Sequence, residues 1–505
     1  MTYIDKLLNR ITMYRLLLYV LLGYLFVGMV LAFMGKLGFS GWSVIYSAVI
    51  LIYGSWLVNR IFAWAYNAPA HSMSAYITGL ILALIITPIR TSADLPFYVW
   101  APVLAITSKY ILSLHKQHIF NPAAFAVALT SMTISHSASW WVGNVWMLPF
   151  VAIGGYLIVR KIRRWDVVLP FLFGAAAMVT VLTIVRHGSL MTTWRLFILH
   201  APIFFFATIM LIEPSTMPPT KKLRVSYGLL IGLLFAPQIH IGTLYSTPEL
   251  TLLAGNFVFF ILARRVRYTL RLVKKVQLSP TIYDFVFASD APVRFRPGQY
   301  LEWMMPHRKS DQRGLRRYFT IASSPTEKEV HLGVKFYQSP SSYKSSLLQL
   351  RPGQSIVAGQ LDGDFTLPAD INKPLVFIAG GIGVTPFRSM IKFLLDRQQS
   401  RTITMFYAVQ STADIVYSDI FEQAGAELGL RTVYVLGDTK KVPPDWHGET
   451  GYITADMIQR QVPDYPARTF YISGPQMMVE SYKKVLHSLG LPNAQIKTDY
   501  FPGFA

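Results

Sequence analysis

Ile378-Ala379-Gly380-Gly381-Ile382-Gly383-Val384-Thr385-Pro386 closes an apolar run that starts at Pro374 and opens a helical one. Glycines there let the backbone approach a pyrophosphate, and the helix N-terminus behind them faces the anion. A second strand-ending turn, Tyr471-Ile472-Ser473-Gly474-Pro475-Gln476-Met477-Met478, begins about ninety residues later. Strand, glycine turn, helix, strand is the pattern of a parallel nucleotide-binding sheet, here expected over 371–505. The sequence upstream has another texture. Val276 to Phe287, Tyr300 to Met304, Arg317 to Ala322 and Val330 to Phe336 alternate polar and apolar residues between turns such as Arg296-Pro297-Gly298 and Arg351-Pro352-Gly353. That pattern predicts a small β-barrel over 266–370. One of its strands carries Arg317-Tyr318-Phe319-Thr320-Ile321-Ala322-Ser323-Ser324-Pro325, which offers a cation, a ring face and a hydroxyl together. These suit an isoalloxazine and a diphosphate; an exposed strand with one ion pair is the plainer alternative.

The first 265 residues read differently again. The chain has 505 residues, of which 52% are apolar and only 14% charged, with 47 Lys and Arg against 26 Asp and Glu. A purely soluble protein is excluded. Up to Arg265 there are 19 basic residues and five acidic ones (Asp5, Asp94, Asp166, Glu213, Glu249), so two thirds of the positive excess lies in the apolar half. Basic residues scattered between hydrophobic runs orient membrane spans and are no footprint for nucleic acid. The run from Tyr14 to Met34 is long enough to cross a bilayer. Further spans are expected at about 43–58, 75–88, 96–114, 122–136, 142–159, 167–185, 196–212, 226–244 and 248–263, about ten in all. The expected fold is a polytopic α-helical membrane domain (1–265), then a cytosolic β-barrel and an α/β domain with a parallel sheet. Basic residues favour alternate loops, which places both termini in the cytoplasm and the chain in a plasma or inner membrane as a multi-pass protein. Cysteine is absent, which excludes disulfides, iron–sulfur clusters ligated by Cys, and thiol nucleophiles from this chain. No metal site is expected.

Two stretches in the apolar half stand out: His118-Ile119-Phe120-Asn121-Pro122, following Ser108-Lys109-Tyr110, and Glu213-Pro214-Ser215-Thr216-Met217-Pro218-Pro219. Proline breaks helical hydrogen bonding, and broken backbone at membrane depth is tolerated where it is buried in protein or lines a site. Loop-and-cap segments at span ends would look the same. With Ser74-Ala75-Tyr76-Ile77-Thr78-Gly79, these stretches resemble the membrane flavin subunit of sodium-pumping NADH:quinone reductases and Rnf complexes. That resemblance implies a helical bundle holding FMN, with Asn121 and Thr216 as candidate contacts. The family tethers FMN through the Thr of a Ser-Gly-Ala-Thr motif, which this sequence lacks; Gly188-Ser189-Leu190-Met191-Thr192-Thr193 is the nearest patch, so FMN here is expected to be non-covalent.

The cytosolic half resembles the ferredoxin–NADP reductase superfamily. Its flavin signature, Arg-x-Tyr/Phe-Ser/Thr-x-x-Ser, is matched from Arg317 to Ser323. Arg296 to Tyr300, Ser341-Ser342-Tyr343 and Asp362-Gly363-Asp364-Phe365 occur in the superfamily's order. The resemblance implies that Arg317 pairs with FAD diphosphate, Phe319 stacks on the ring, Thr320 bonds near flavin N5, and Ser323 completes the signature. His331 to Val334 would contact the ribityl or adenosine side, and Ser341 and Ser342 the diphosphate. NADH or NADPH would lie on Gly380, Gly381, Gly383, Thr385 and Pro386 and on Gly474, Pro475 and Met477. Ser473 stands where many members have Cys, and Asp499 where Glu is commoner, in an aromatic-rich tail that covers the flavin in relatives. Thr320, Ser473 and Asp499 are thus the catalytic candidates. Gln410-Ser411-Thr412-Ala413-Asp414 has no Arg for a 2′-phosphate, which favours NADH.

Together the two resemblances imply a flavin-dependent membrane NAD(P)H reductase passing electrons through FAD and FMN to a quinone or another acceptor, with partner subunits left open. One alternative is a haem-containing ferric reductase or NAD(P)H oxidase. His187 and His200 are thirteen apart, but His71, His115, His118, His136 and His240 give no second such pair. The other alternative is a transporter with a domain that senses nicotinamide nucleotides.

Overall fold

The computed structural model describes residues 3–9, 11–66, 72–114, 117–242, 244–263, 266–307, 311, 314–440 and 442–499. His71, His115 and the tail from Tyr500 to Ala505 lie outside the described residues. The chain forms two compact units, Thr2–Arg265 and Val266–Ala505.

The first unit is helical: α1 (Tyr3–Asn9), α2 (Met13–Phe33), α3 (Gly41–Ala65), α4 (Ser72–Ile85), α5 (Leu95–Ile111), α6 (Pro122–Thr133), α7 (Leu148–Ile162), α8 (Trp165–Val185), α9 (Leu190–Leu199), α10 (Ile203–Phe205), α11 (Lys221–Leu234) and α12 (Pro248–Leu262). Two short hairpins, β1 (Ser113–Leu114) with β2 (Gln117–His118) and β3 (His240–Ile241) with β4 (Leu244–Tyr245), complete it. Caps are local. Thr12, Ser40, Asn121 and Thr247 each accept a backbone N–H from the first turn of the helix that follows, and Pro122 and Pro248 occupy first-turn positions that need no N–H.

Each of the ten expected spans meets a helix, but only α2, α3 and α8 are long and apolar enough to cross a membrane. A fourth arises if α9 and Ile203–Met210, bent by 55°, count as one span. The expectation of about ten is therefore corrected to three or four among the described residues. The reason is physical. Helix α4 has 14 residues and α6 has 12, which at 1.5 Å per residue reach about 20 Å, short of a hydrocarbon core of about 30 Å. Helix α4 is buried almost all round from Ile77 to Ile85, so its apolar run reports burial among other helices and not contact with lipid. Helices α8 and α11 pack at backbone contact: a Cβ at Gly228 or Gly232 would strike the carbonyl oxygen of Val167 or Phe171. Such small-residue seams let apolar helices associate closely.

The second unit holds two six-stranded sheets. A curled antiparallel sheet has the order β8-β7-β10-β5-β6-β9, with β5 (Arg267–Gln277), β6 (Ile282–Ser289), β7 (Tyr300–Met304), β8 (Arg316–Thr320), β9 (Val330–Lys335) and β10 (Ser355–Asp362). Its inward alternation buries Leu270, Leu272, Phe285, Phe287, Leu301, Trp303, Leu332 and Val334, and α13 (Ser342–Leu348) adds Tyr343 and Leu347 to the same core. The other sheet is parallel throughout, in the order β14-β13-β12-β11-β15-β16. It comprises β11 (Leu375–Gly380), β12 (Ile403–Val409), β13 (Arg431–Leu436), β14 (Glu449–Thr450), β15 (Thr469–Ser473) and β16 (Ile496–Asp499). Strand β11 is buried on both faces, as a central parallel strand must be. Helices α14 (Thr385–Asp396) and α15 (Ser418–Leu428) cover one face, and α16 (Ala455–Gln461) and α17 (Gln476–Ser488) the other. Ile282, Phe365 and Leu367 join the core beneath α14, so the two lobes share apolar packing.

Candidate functional site

In a parallel sheet the strand ends that carry helix N-termini gather along one edge, where ligands bind. Here β11 and β15 are neighbours, with Ala379 paired to Ser473, and β16 lies beside β15, with Ser473 paired to Asp499. The two glycine turns consequently touch. A Cβ at Gly383 would come within 2.5 Å of the Gly474 Cα and 2.6 Å of the Ser473 carbonyl oxygen, and one at Gly380 would strike the Met478 sulfur. Gly381 has φ +52, a left-handed value that favours glycine. Thr385 and Pro386 follow as the buried first turn of α14, and the Thr385 hydroxyl donates to the Ile382 carbonyl at 3.2 Å. Pro475 caps α17, and Met477 is exposed beside it. Only glycines allow two turns this close.

At the same edge Thr320, the last residue of β8, donates its hydroxyl to Asp499 Oδ2 at 3.4 Å, and Ser473 donates to the same carboxyl. Three candidates separated by up to 179 positions thus meet. Burial pushes the Asp499 carboxyl up to about 7, partly opposed by the Thr320 and Ser473 hydrogen bonds. A carboxyl poised there can hold or release a proton at neutral pH.

Further along β8, Arg317 and Phe319 fall on one face, both against Tyr343: the guanidinium lies 5.2 Å from the ring centroid, and the Phe319 ring 6.0 Å from it. Arg317 is buried. It donates to the carbonyls of Gly314 (3.1 Å) and Arg316 (2.7 Å) and to Asp311 Oδ1 (3.1 Å). Ser341 caps α13 by accepting from Lys344 N at 3.3 Å, and Ser342 Oγ accepts from Asp311 N at 2.8 Å and contacts His307 Nε2 at 3.0 Å. The set of cation, ring and hydroxyls fits a flavin bearing a diphosphate. The Arg317 charge is met by Asp311, a partly exposed carboxylate. Ser323 is fully buried, accepting His331 N at 3.1 Å. The side chains of the 331–334 segment point away from an open surface: His331 Nδ1 is 2.7 Å from Asp284, and Val334 lies in the barrel core.

In the helical unit the structure joins the two proline-broken stretches. Asn121 Nδ2 donates to Glu213 Oε2 at 2.8 Å, across 92 positions, and Thr216, buried, turns its hydroxyl to the Glu213 carbonyl at 3.4 Å. Asn256 Oδ1 accepts from Asn121 N at 2.9 Å, and its Nδ2 donates to the Tyr227 hydroxyl at 2.8 Å. Lys109 Nζ donates to Thr78 Oγ1 (2.6 Å), Ser74 Oγ (3.0 Å) and the Ser74 carbonyl (3.2 Å). Sequence reasoning missed Asn256 and Tyr227, which sit in ordinary apolar helices, as well as Asp311, and it gave Tyr343 no role. By contrast, His187 lies beyond the end of α8 and His200 caps α9, so these two do not share a helix as a haem-binding pair would need.

Comparison with known proteins bears on the second unit. Residues 377–484 match the oxidoreductase NAD-binding domain family. The chain is 28% identical over 245 residues to a glycine betaine monooxygenase reductase subunit of Chromohalobacter salexigens, covering 46% of this chain and 64% of that protein. The C-terminal half thus carries an oxidoreductase NAD-binding module. The chain is also 32% identical over 168 residues to a component of the Na(+)-translocating NADH-quinone reductase of Yersinia pestis, covering 32% of this chain and 41% of that one. An Amycolatopsis cytochrome P450 reductase structure aligns to 48% of this chain and 71% of its own with a TM-score of 0.42 at 24% identity. The curated matches thus span less than two thirds of those relatives' own lengths.

Proposed function

We propose that the chain is a membrane-bound NAD(P)H oxidoreductase in which 266–370 bind FAD, 371–505 bind NADH in preference to NADPH, and 1–265 hold a non-covalent FMN and hand electrons to a quinone or another acceptor. The observation that carries the reading is the meeting of Thr320, Ser473 and Asp499 where the glycine turns touch. Bound FAD would supply the chemistry, taking two electrons as hydride from nicotinamide C4 as that C–H bond breaks and releasing them singly. The chain's own residues do the rest. Gly383 and Gly474 admit the dinucleotide's backbone. Arg317 offsets diphosphate charge, Phe319 gives the flavin a ring face, and Asp499 Oδ2 shares a proton with Thr320 Oγ1. In the helical unit Asn121 and Thr216 bring polar groups to one buried place beside Glu213, which supports a cofactor there. Relatives named as a reductase subunit and as part of an NADH-quinone reductase support electron delivery onward from the module.

Membrane residence rests on α2, α3 and α8, which expose apolar strips including Tyr19, Phe26, Trp42, Tyr53, Trp64 and Phe173. Lys6, Arg10 and Arg15 precede or open the first long helix, and Arg264, Arg265 and Arg267 follow the last apolar one. Four spans, counting the bent pair, would keep both ends on the cytoplasmic side. The test is anaerobic addition of NADH to the purified, FAD-loaded chain, followed by denaturation and chromatography of released flavins. Rapid bleaching with both FAD and FMN released is expected. No bleaching would remove the reductase reading, and FAD alone would remove the FMN.

A further inference from the structure

Two buried charged groups of the second unit, Arg388 and Asp284, lie at the seam between its two lobes. Arg388, on the first turns of α14, pairs with Glu327 (Nη2 to Oε1, 2.8 Å) and donates through Nη1 to the Ala322 carbonyl at 3.1 Å. Its neighbour Ser389 donates to the Ser323 carbonyl at 2.6 Å, and Glu327 accepts Ser324 N at 2.5 Å. The segment 322–327 begins two residues after Thr320, and Arg388 stands three residues after Thr385. The clamp therefore ties the strand that would carry the flavin to the helix that would carry the nucleotide. On its other side the Arg388 guanidinium lies 5.7 Å from the Tyr417 ring, and the Tyr417 hydroxyl sits beside Asp284, which holds His331 at 2.7 Å. Tyr417 is buried with φ +60, a left-handed value that costs a β-substituted residue and persists only where its surroundings hold it. Gly333 completes the seam: a Cβ there would come within 2.8 Å of both the Tyr417 hydroxyl and the Thr385 methyl.

We propose that Arg388, Glu327, Tyr417 and Asp284 are positioning residues that fix the gap between the flavin strand and the nicotinamide turn. The proposal rests on the reductase reading and goes beyond it, since none of the four lies in the cleft. Three features separate this cluster from ordinary lobe packing. Arg388 and Asp284 are charged and buried, and Arg388 is paired with the partly buried Glu327, where a broken pair is costly. Arg388 bonds the Ala322 carbonyl, two residues after Thr320, while itself standing three residues after Thr385. The cluster also holds a strained backbone, which points to a defined geometry rather than generic adhesion. Hydride transfer is steeply sensitive to misplacement, with about 1 Å costing on the order of a hundredfold.

The experiment uses the full-length, FAD-loaded protein in single-turnover mixing with NADH and with its C4-deuterated form. Arg388→Met should slow flavin reduction by at least about tenfold and raise the isotope effect. FAD content and half-saturation by NADH should stay within about twofold, and Arg388→Lys should recover part of the rate. An Arg388→Met protein that keeps FAD and reduces it at the wild-type rate would overturn the proposal and leave the cluster with stability alone. Loss of FAD in proportion to rate would also overturn it, because the cluster would then hold the flavin and not the gap. Should Arg388→Met not fold, Glu327→Gln and Tyr417→Phe carry the same expectation at about threefold, checked by thermal melting. A wild-type protein that NADH does not reduce would count against the reductase reading itself, a separate result.

Discussion

The two units bury polar groups by opposite means. In the module, the site is built by backbone: two glycine turns at the ends of adjacent strands, with Ser473 and Asp499 set side by side by the sheet's register. In the helical unit, the polar centre is built by side chains reaching between helix ends, Asn121 to Glu213 and Asn256 to Asn121. A backbone-built site leaves its trace in consecutive residues. A site built by side chains from distant helices leaves almost none.

The largest expected effect tests that contrast directly. Gly383→Val places a branched side chain where even a Cβ would lie 2.5 Å from Gly474, so NADH-dependent flavin reduction should fall by about a hundredfold or more in stopped-flow mixing. Gly23→Ala in α2, with nothing within 4 Å of the added carbon, should leave both fold and rate unchanged. If Gly383→Val retained wild-type rates, the cleft would not be the dinucleotide site. Next in size, Arg317→Ala should weaken FAD binding by about 2 kcal/mol, roughly thirtyfold, measured by flavin fluorescence on the stripped protein. Any flavin in the helical unit should be untouched, and equal loss of both would contradict two independent sites. Third, Asn121→Ala leaves the Glu213 carboxylate without its amide donor and should cost about 1–2 kcal/mol in thermal unfolding in detergent. An unchanged melting curve would mean that the side-chain lattice contributes nothing.

The smallest effect concerns Asp499. Its folded value, about 7, is above the unfolded carboxylate value of about 3.9, so between those pH values the folded state binds more protons than the unfolded one. Stability should therefore decline as pH rises from about 4 to about 7 and level off above. Asp499→Asn should remove that slope and the inflection near neutral pH in the rate of flavin reduction. A wild-type profile without an inflection there would take the proton role from Asp499.

Much of the module was legible in the sequence because its constraints are local. Glycines at 380, 381 and 383 and a proline at 386 mark a strand-to-helix turn whatever surrounds them. Alternation likewise marks the inward Phe285 and Phe287 of β6 and Leu301 and Trp303 of β7. The helical unit defeated the same reading at two points. Apolar runs such as Ile77 to Ile85 record exclusion from water, which a central helix and a spanning helix share, so ten runs became three or four spans. Asn256 and Tyr227 are single polar residues in apolar helices, and only tertiary packing reveals that Asn256 faces Asn121 and Tyr227 faces Asn256. The Asp311 partner of Arg317 was equally hidden, since a charged loop residue carries no periodicity.

Strand β16 sets the height of the carboxyl in the cleft. Ser473 and Asp499 are level because the parallel ladder pairs Phe470 with Ile496 and each following residue in step. Side chains alternate along a strand, so a slip of one residue would carry the carboxyl to the opposite face and leave Thr498 in its place. The ladder thus acts as a measuring rule whose zero is set at the turn Asn493–Gln495. Lengthening that turn by one residue should disable the proton group more thoroughly than replacing it, although every residue named at the site would still be present.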